Sequence, residues 1–147
     1  MTYPSIPKNL CKQHSKTKVT NFIESYHKHP IVWQNKIAYL SGLIDGEGYL
    51  KIEENGTIRI VIGMCDKKTI QWIYNTFGGN ITTQKTSKGR TFYVWRMNQG
   101  KDLYYLMLLC IPFLITKKEI VTDGFIRLIK KLNKKRQSLG NQLVWGW

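Results

Sequence analysis

Acid is what this chain has least of. Nine Asp and Glu residues stand against 23 Lys and Arg in 147 residues, a formal net charge of +14. A small soluble domain ordinarily carries a net charge of about 2 to 8 in magnitude. A balance this basic implies a polyanionic partner, with nucleic acid the first candidate. Cysteine is also scarce: Cys11, Cys65 and Cys110 lie far apart with no C-x-x-C pair. That excludes a disulfide framework and a zinc knuckle. It points to a reducing, intracellular compartment: bacterial or archaeal cytoplasm, or an organelle. Long apolar runs are missing, since the longest, Leu103–Ile115, is broken by Pro112. A membrane span needs about 18 consecutive apolar residues, so no membrane role is expected. Nothing near Met1 forms the apolar region of a secretory signal. The basic start has the composition of a transit peptide, yet no arginine precedes Arg59.

Enough apolar surface remains to fold. Hydrophobic residues make up 42% of the chain and charged residues 22%, which excludes a disordered polyelectrolyte. The length suits one core and one domain. Charge is unevenly spread: residues 1–36 carry +5, 37–77 carry −1, 78–100 carry +4 and 101–147 carry +6. One acidic island lies between basic flanks, as expected where carboxylates hold a metal against phosphate. A solvated basic surface is the blander account of the same numbers.

Residues 1–34 read as a basic N-terminal extension punctuated by Pro4, Pro7 and Pro30, with Lys8, Lys12, Lys16 and Lys18 along it. Within it, Val19–Tyr26 has the spacing of a short helix with Phe22, Ile23 and Tyr26 on one side. Residues 35–147 read as a single domain. Ile37, Tyr39, Leu40, Leu43 and Ile44 mark a helix, ended by the Asp45-Gly46-Glu47-Gly48 turn. Tyr49–Glu53 and Thr57–Met64 alternate as strands about the Glu54-Asn55-Gly56 turn. Asp66 suits the N-cap of a helix over Lys67–Phe77, which Gly78-Gly79 stops. A second hairpin follows, Asn80–Lys85 and Thr91–Met97. Two more helices are expected, one through Leu103–Cys110 and one over Lys117–Lys134. The fold class is α+β, in the order αββαββα(α): a twisted four-stranded antiparallel sheet covered by helices on one face. Its other face is polar and basic. A ribbon with such a face can lie in the major groove of DNA, and the basic composition favours that over a face merely open to water.

Leu40-Ser41-Gly42-Leu43-Ile44-Asp45-Gly46-Glu47-Gly48 resembles the nine-residue signature of the LAGLIDADG homing endonucleases. Glu47 stands at the last acid, where the family accepts it in place of Asp. Two later segments resemble family landmarks in the same order: Asp66 with its helix and Phe77-Gly78-Gly79, then Pro112-Phe113-Leu114-Ile115-Thr116-Lys117-Lys118. The resemblance covers roughly residues 36–134. It implies a site-specific double-strand DNA endonuclease that cuts across the minor groove at a long pseudo-palindromic site. It further implies short 3′ overhangs and mobility of the host intron or intein. A single motif implies a homodimer, because two strands need two sites related by a two-fold axis.

The site residues follow from that resemblance together with the chemistry. Glu47 is the expected catalytic metal ligand, with the carbonyl of Gly46 beside it. Hard oxygen donors select Mg²⁺, with Mn²⁺ as a substitute. Such a cation neutralises phosphate oxygens and acidifies an attacking water. Lys117 matches the family's basic residue near the scissile phosphate. Asp45 has either a catalytic part or a capping one, and a turn-forming Asp before glycine is an equal reading. Ser41, Gly42, Asp45 and Gly46 are expected at the dimer interface. For DNA the candidates are Tyr49, Lys51, Glu53, Thr57, Arg59, Thr82, Gln84, Lys88, Arg90, Arg96, Lys134, Lys135 and Arg136. The chain departs from the pattern before its second helix. There the family often has Gln or Asn, and this sequence has Met64 or Cys65, with Lys68 a conceivable replacement. His27 and His29 lack a third ligand nearby and read as surface histidines. Two other classes fit the same composition: an RNA maturase that aids intron splicing, and a DNA-binding module with decayed nuclease activity.

Overall fold

The computed structural model describes residues 18–138. Helices α1 (Lys18–Lys28) and α2 (Pro30–Glu47) precede strands β1 (Gly48–Ile52) and β2 (Ile58–Met64). Helix α3 (Lys67–Phe77) leads to β3 (Asn80–Lys85) and β4 (Thr91–Asn98). Helix α4 (Lys101–Cys110), a 3₁₀ turn over Ile111–Phe113, and α5 (Lys118–Ser138) follow. The four strands form one antiparallel sheet in the order β1-β2-β4-β3, so the two hairpins join through β2 and β4. This is the expected α+β architecture, with one helix added at its start. The two terminal tryptophans and Lys8, Lys12 and Lys16 lie outside the described residues.

Strand period decides which face is which. Leu50, Ile58, Ile60, Ile62, Trp95 and Met97 point to one side, against the helices. A strand places alternate residues on opposite faces, so Tyr49, Lys51, Arg59, Thr82, Gln84 and Arg96 share the other face. No described helix covers that face. Two glycines let the layers close. A Cβ on Gly48 would stand 2.8 Å from the Ile44 Cα, where α2 bends into β1. A Cβ on Gly124 of α5 would meet the Leu50 side chain of β1.

Helix α1 belongs to this core rather than to an extension. Phe22, Ile23 and Tyr26 are all buried, and the Phe22 ring lies 4.7 Å from that of Trp33 and 5.2 Å from that of Phe77. The reason is α3, whose Phe77 end is left bare by the sheet and is roofed by α1. Pro30 opens α2 instead of ending a linker, because the first helical position needs no N–H. Helix α2 also runs further than the glycines suggested, through Asp45 and Gly46 to Glu47, and Gly48 caps it by donating to the Ile44 carbonyl. Asp66 caps α3 as expected, accepting from Lys68 N–H at 3.0 Å and from the Thr69 hydroxyl at 2.8 Å.

Candidate DNA-cleavage site

The motif helix has two unlike sides. Ile37, Leu40, Ser41 and Ile44 are buried against the rest of the chain. Ile31, Asn35, Tyr39, Gly42 and Gly46, spaced three and four apart, form an exposed stripe along the other side. Among the described residues, nothing lies within 4 Å of a Cβ built on Gly42 or Gly46. Ser41 therefore departs from its expected place at a dimer interface. It is 0% exposed, and its hydroxyl donates to the Ile37 carbonyl at 2.7 Å, with the Cys110 carbonyl 3.3 Å away. Its small size serves the packing of α2 on α4. The neighbouring Cys110 thiol is pushed up to about 12 by burial, although the contact with Ser41 works the other way.

The two motif acids separate just as sharply. Both Asp45 carboxylate oxygens are engaged by the segment after the 3₁₀ turn: Oδ2 accepts from Ile115 N–H at 2.8 Å and Oδ1 from Lys117 N–H at 2.9 Å. Burial alone would raise the Asp45 pKa. The backbone N–H groups of Lys117, Ile115 and Thr116, helped by the Lys117 charge, outweigh it and hold the carboxyl below its ordinary value of 3.8. Lys117 completes the clamp, its ammonium donating to the carbonyls of Ile44 at 2.9 Å and Asp45 at 3.0 Å. A cation there complements the negative end of α2. An ammonium has three N–H donors, so one stays available beyond those two bonds. The next carbonyl along the chain is that of Gly46, at an exposed position.

Glu47 is exposed at the last turn of α2. Its side chain lines a groove of about 480 Å³ on the open sheet face, together with Tyr49, Lys51, Arg59, Gln84, Phe92 and Arg96. One carboxylate thus faces three cations across a surface of strands. Tyr49 is 52% exposed beside Glu47. Arg96 Nη2 donates to the Thr82 hydroxyl at 3.1 Å, and Glu53 pairs with Arg59 at 3.0 Å. The Nε atoms of Arg59 and Arg96 are shielded from solvent and have no hydrogen-bond partner among the described residues. Val61 and Val94 are buried although they lie on this face, in keeping with long side chains lying flat over the strands.

Other expected contacts lie elsewhere. Lys88 and Arg90 are exposed at the tip of the second hairpin, and Thr57 is in the first turn, where its N–H donates to the Asn55 side chain at 2.9 Å. Lys134 is exposed on α5, within the helical layer, and the backbone of that helix continues through Lys135 and Arg136. At the departure from the family pattern, Met64 points to the core side and Cys65 is exposed. Lys68 lines a pocket with Tyr39, Thr69 and Trp72, outside the Glu47 groove. Sequence reasoning missed Phe92, whose ring comes within 2.6 Å of a Cβ built on Gly63 and so fills the place of a side chain there. A glycine inside a strand was the available signal, since such a position often marks close approach of another group.

The donor set suits a hard divalent cation only in part. Glu47 and the Gly46 carbonyl supply oxygen ligands, and among the described residues no group of three or more His, Cys, Asp or Glu side chains could hold a metal. Mg²⁺ keeps several waters and takes few protein ligands, so one carboxylate per chain is compatible with it if phosphate supplies the rest. No helix of the described residues is long and apolar enough to cross a membrane.

Known structures share this architecture. The homing endonuclease I-CvuI, bound to its target in the presence of calcium, matches with a TM-score of 0.55 at 19% identity, over 71% of this chain and 73% of that one. The archaeal intron-encoded homing endonuclease I-Vdi141I, complexed with DNA, matches with a TM-score of 0.55 at 18% identity, over 71% of this chain and 74% of that one. The chain has the LAGLIDADG homing-endonuclease fold. No family model and no curated protein sequence matches it.

Proposed function

We propose that this chain is a site-specific double-strand DNA endonuclease of the single-motif homing type. It works as a homodimer on a long pseudo-palindromic site and promotes mobility of an intron or intein. The observation that carries the reading is the groove shared by Glu47 and the cations of the open sheet face. DNA laid along those strands would bring its backbone to the exposed end of α2. The DNA-bound state of the structural neighbours supports the same reading.

In the proposed dimer, two α2 helices meet through the Tyr39, Gly42 and Gly46 stripe, which the monomer leaves open. Glycines permit close approach, so the two Glu47 side chains would flank the narrow groove between the strands to be cut. Bound there, Mg²⁺ (or Mn²⁺) would supply charge neutralisation and an acidified water. Glu47 and the Gly46 carbonyl would hold it. Lys117 fixes the end of α2, and its remaining N–H would meet a nucleophilic water. Asp45 holds Lys117 and its segment in place, a positioning role.

Cleavage of a randomised duplex library in Mg²⁺ tests this, comparing wild type with Glu47→Gln. A two-fold-symmetric cut site that disappears in the variant supports the reading. The second reading, a DNA-binding module that no longer cuts, is favoured by the absence of a Gln or Asn side chain at Met64 and Cys65. Wild type that selects a sequence yet never cuts it would establish that alternative.

A further inference from the structure

Beyond Glu47, at the outer end of β1, three charged side chains are held as one cluster. Lys51 stands directly opposite Arg59 in the strand register, where like charges repel. Glu53, two residues further along the same face, answers both. Its Oε1 lies 3.0 Å from Arg59 Nη2 and 3.6 Å from Lys51 Nζ. Both cations approach the same oxygen, Oε1. The backbone beneath is fixed: Glu53 N–H donates to the Thr57 carbonyl at 2.8 Å, and the Glu53 carbonyl accepts from Gly56 N–H at 2.9 Å. Across the pair, Ile58 N–H donates to the Gln99 side chain at 3.1 Å.

A carboxylate cannot serve as a phosphate contact on a face that meets DNA. Its uses there are to aim a cation and to accept from a base amino group. Arginine matches the O6 and N7 acceptors of guanine, and a carboxylate matches the N4 amino group of cytosine. We propose that Glu53 makes the Lys51–Glu53–Arg59 corner a reader of a guanine·cytosine pair. Glu53 aims Arg59 at the guanine and accepts from the cytosine amino group through Oε2, while Lys51 faces the backbone phosphate. This rests on the DNA-binding reading above and adds the base that this part of the sheet selects. Strand and duplex advance alike, about 3.3 Å per residue and 3.4 Å per base pair. The pair read therefore lies about four to six base pairs outward from the position of Glu47.

Binding selection from a randomised duplex library, with the full-length chain and sequencing of the retained duplexes, tests the proposal. Wild type should require guanine·cytosine at one such position in each half-site. Glu53→Gln and Arg59→Lys should each relax that same position by about tenfold or more; Arg59→Lys keeps the charge and loses the fork. Glu54→Gln, in the adjacent turn, should change no position. Retention with no guanine·cytosine requirement at that distance overturns the proposal alone. So does a Glu53→Gln variant whose affinity shifts uniformly across all sequences. If wild type retains no duplex selectively, the DNA-binding reading falls and this inference falls with it.

Discussion

The two sides of α2 obey different rules, although neighbouring residues such as Ser41 and Gly42 divide between them. On the closed side, Leu40 and Ser41 sit against α4 and the sheet, with every contact made within the chain. On the open side, Glu47 is exposed, and among the described residues nothing stands within 4 Å of a Cβ built on Gly42 or Gly46. The acids divide in the same way, Asp45 being occupied by the backbone of residues 115–117 and Glu47 facing the groove. A single nine-residue motif thus carries a structural half, which completes the monomer, and a half that is spare until something else arrives.

That division can be broken by substitution. The largest effect is expected at Glu47. Glu47→Gln should lower the rate of duplex cleavage by at least about a hundredfold while thermal melting and DNA retention stay at wild-type values. A variant that still cuts at an undiminished rate would remove Glu47 from the chemistry. Leu40→Ala, on the closed side, should cost about 2–5 kcal/mol in urea titrations. Gly42→Leu is the matching change on the open side. Leucine is a better helix former than glycine, so the monomer should gain up to about 1 kcal/mol. Self-association, read by sedimentation, should be lost. Loss of monomer stability at Gly42→Leu would show that side to be already occupied.

Smaller effects sharpen the contrast. Ser41→Ala should cost about 1 kcal/mol through its lost hydrogen bonds, with cleavage retained. Asp45 has a folded pKa below its ordinary 3.8. Its contribution to stability is therefore complete above that value and lost as pH falls through the folded one. Acid melting should show this loss in wild type and much less of it in Asp45→Asn, which has no charge to forfeit. Equal acid sensitivity of the two proteins would place the linkage elsewhere.

Most of the architecture was legible because its signals are local. The alternation at Ile58, Ile60 and Ile62, the Asp66 cap and the two hairpin turns each name an element without reference to the rest. The exposed sheet face followed from the same alternation. What escaped depended on tertiary contact. Phe22 and Ile23 read as one side of an isolated short helix, and only the bare Phe77 end of α3 makes that helix part of the core. Ser41 was placed with the glycines on account of its size. Helical geometry turns it about 100° from Gly42, onto the Cys110 carbonyl. The grip of Lys117 on the Ile44 and Asp45 carbonyls joins residues more than 70 positions apart, and nothing in the local sequence announces it.

In the proposed enzyme Glu47 acts in pairs, one from each chain. Mixed dimers test that directly: wild-type chain is combined with an excess of Glu47→Gln chain on a selected duplex, and single-strand nicks are separated from double-strand cuts. Nicked duplex as the dominant product is the expected result, because each carboxylate serves one strand. Double-strand cutting in proportion to the wild-type chain present, with no rise in nicks, would contradict it.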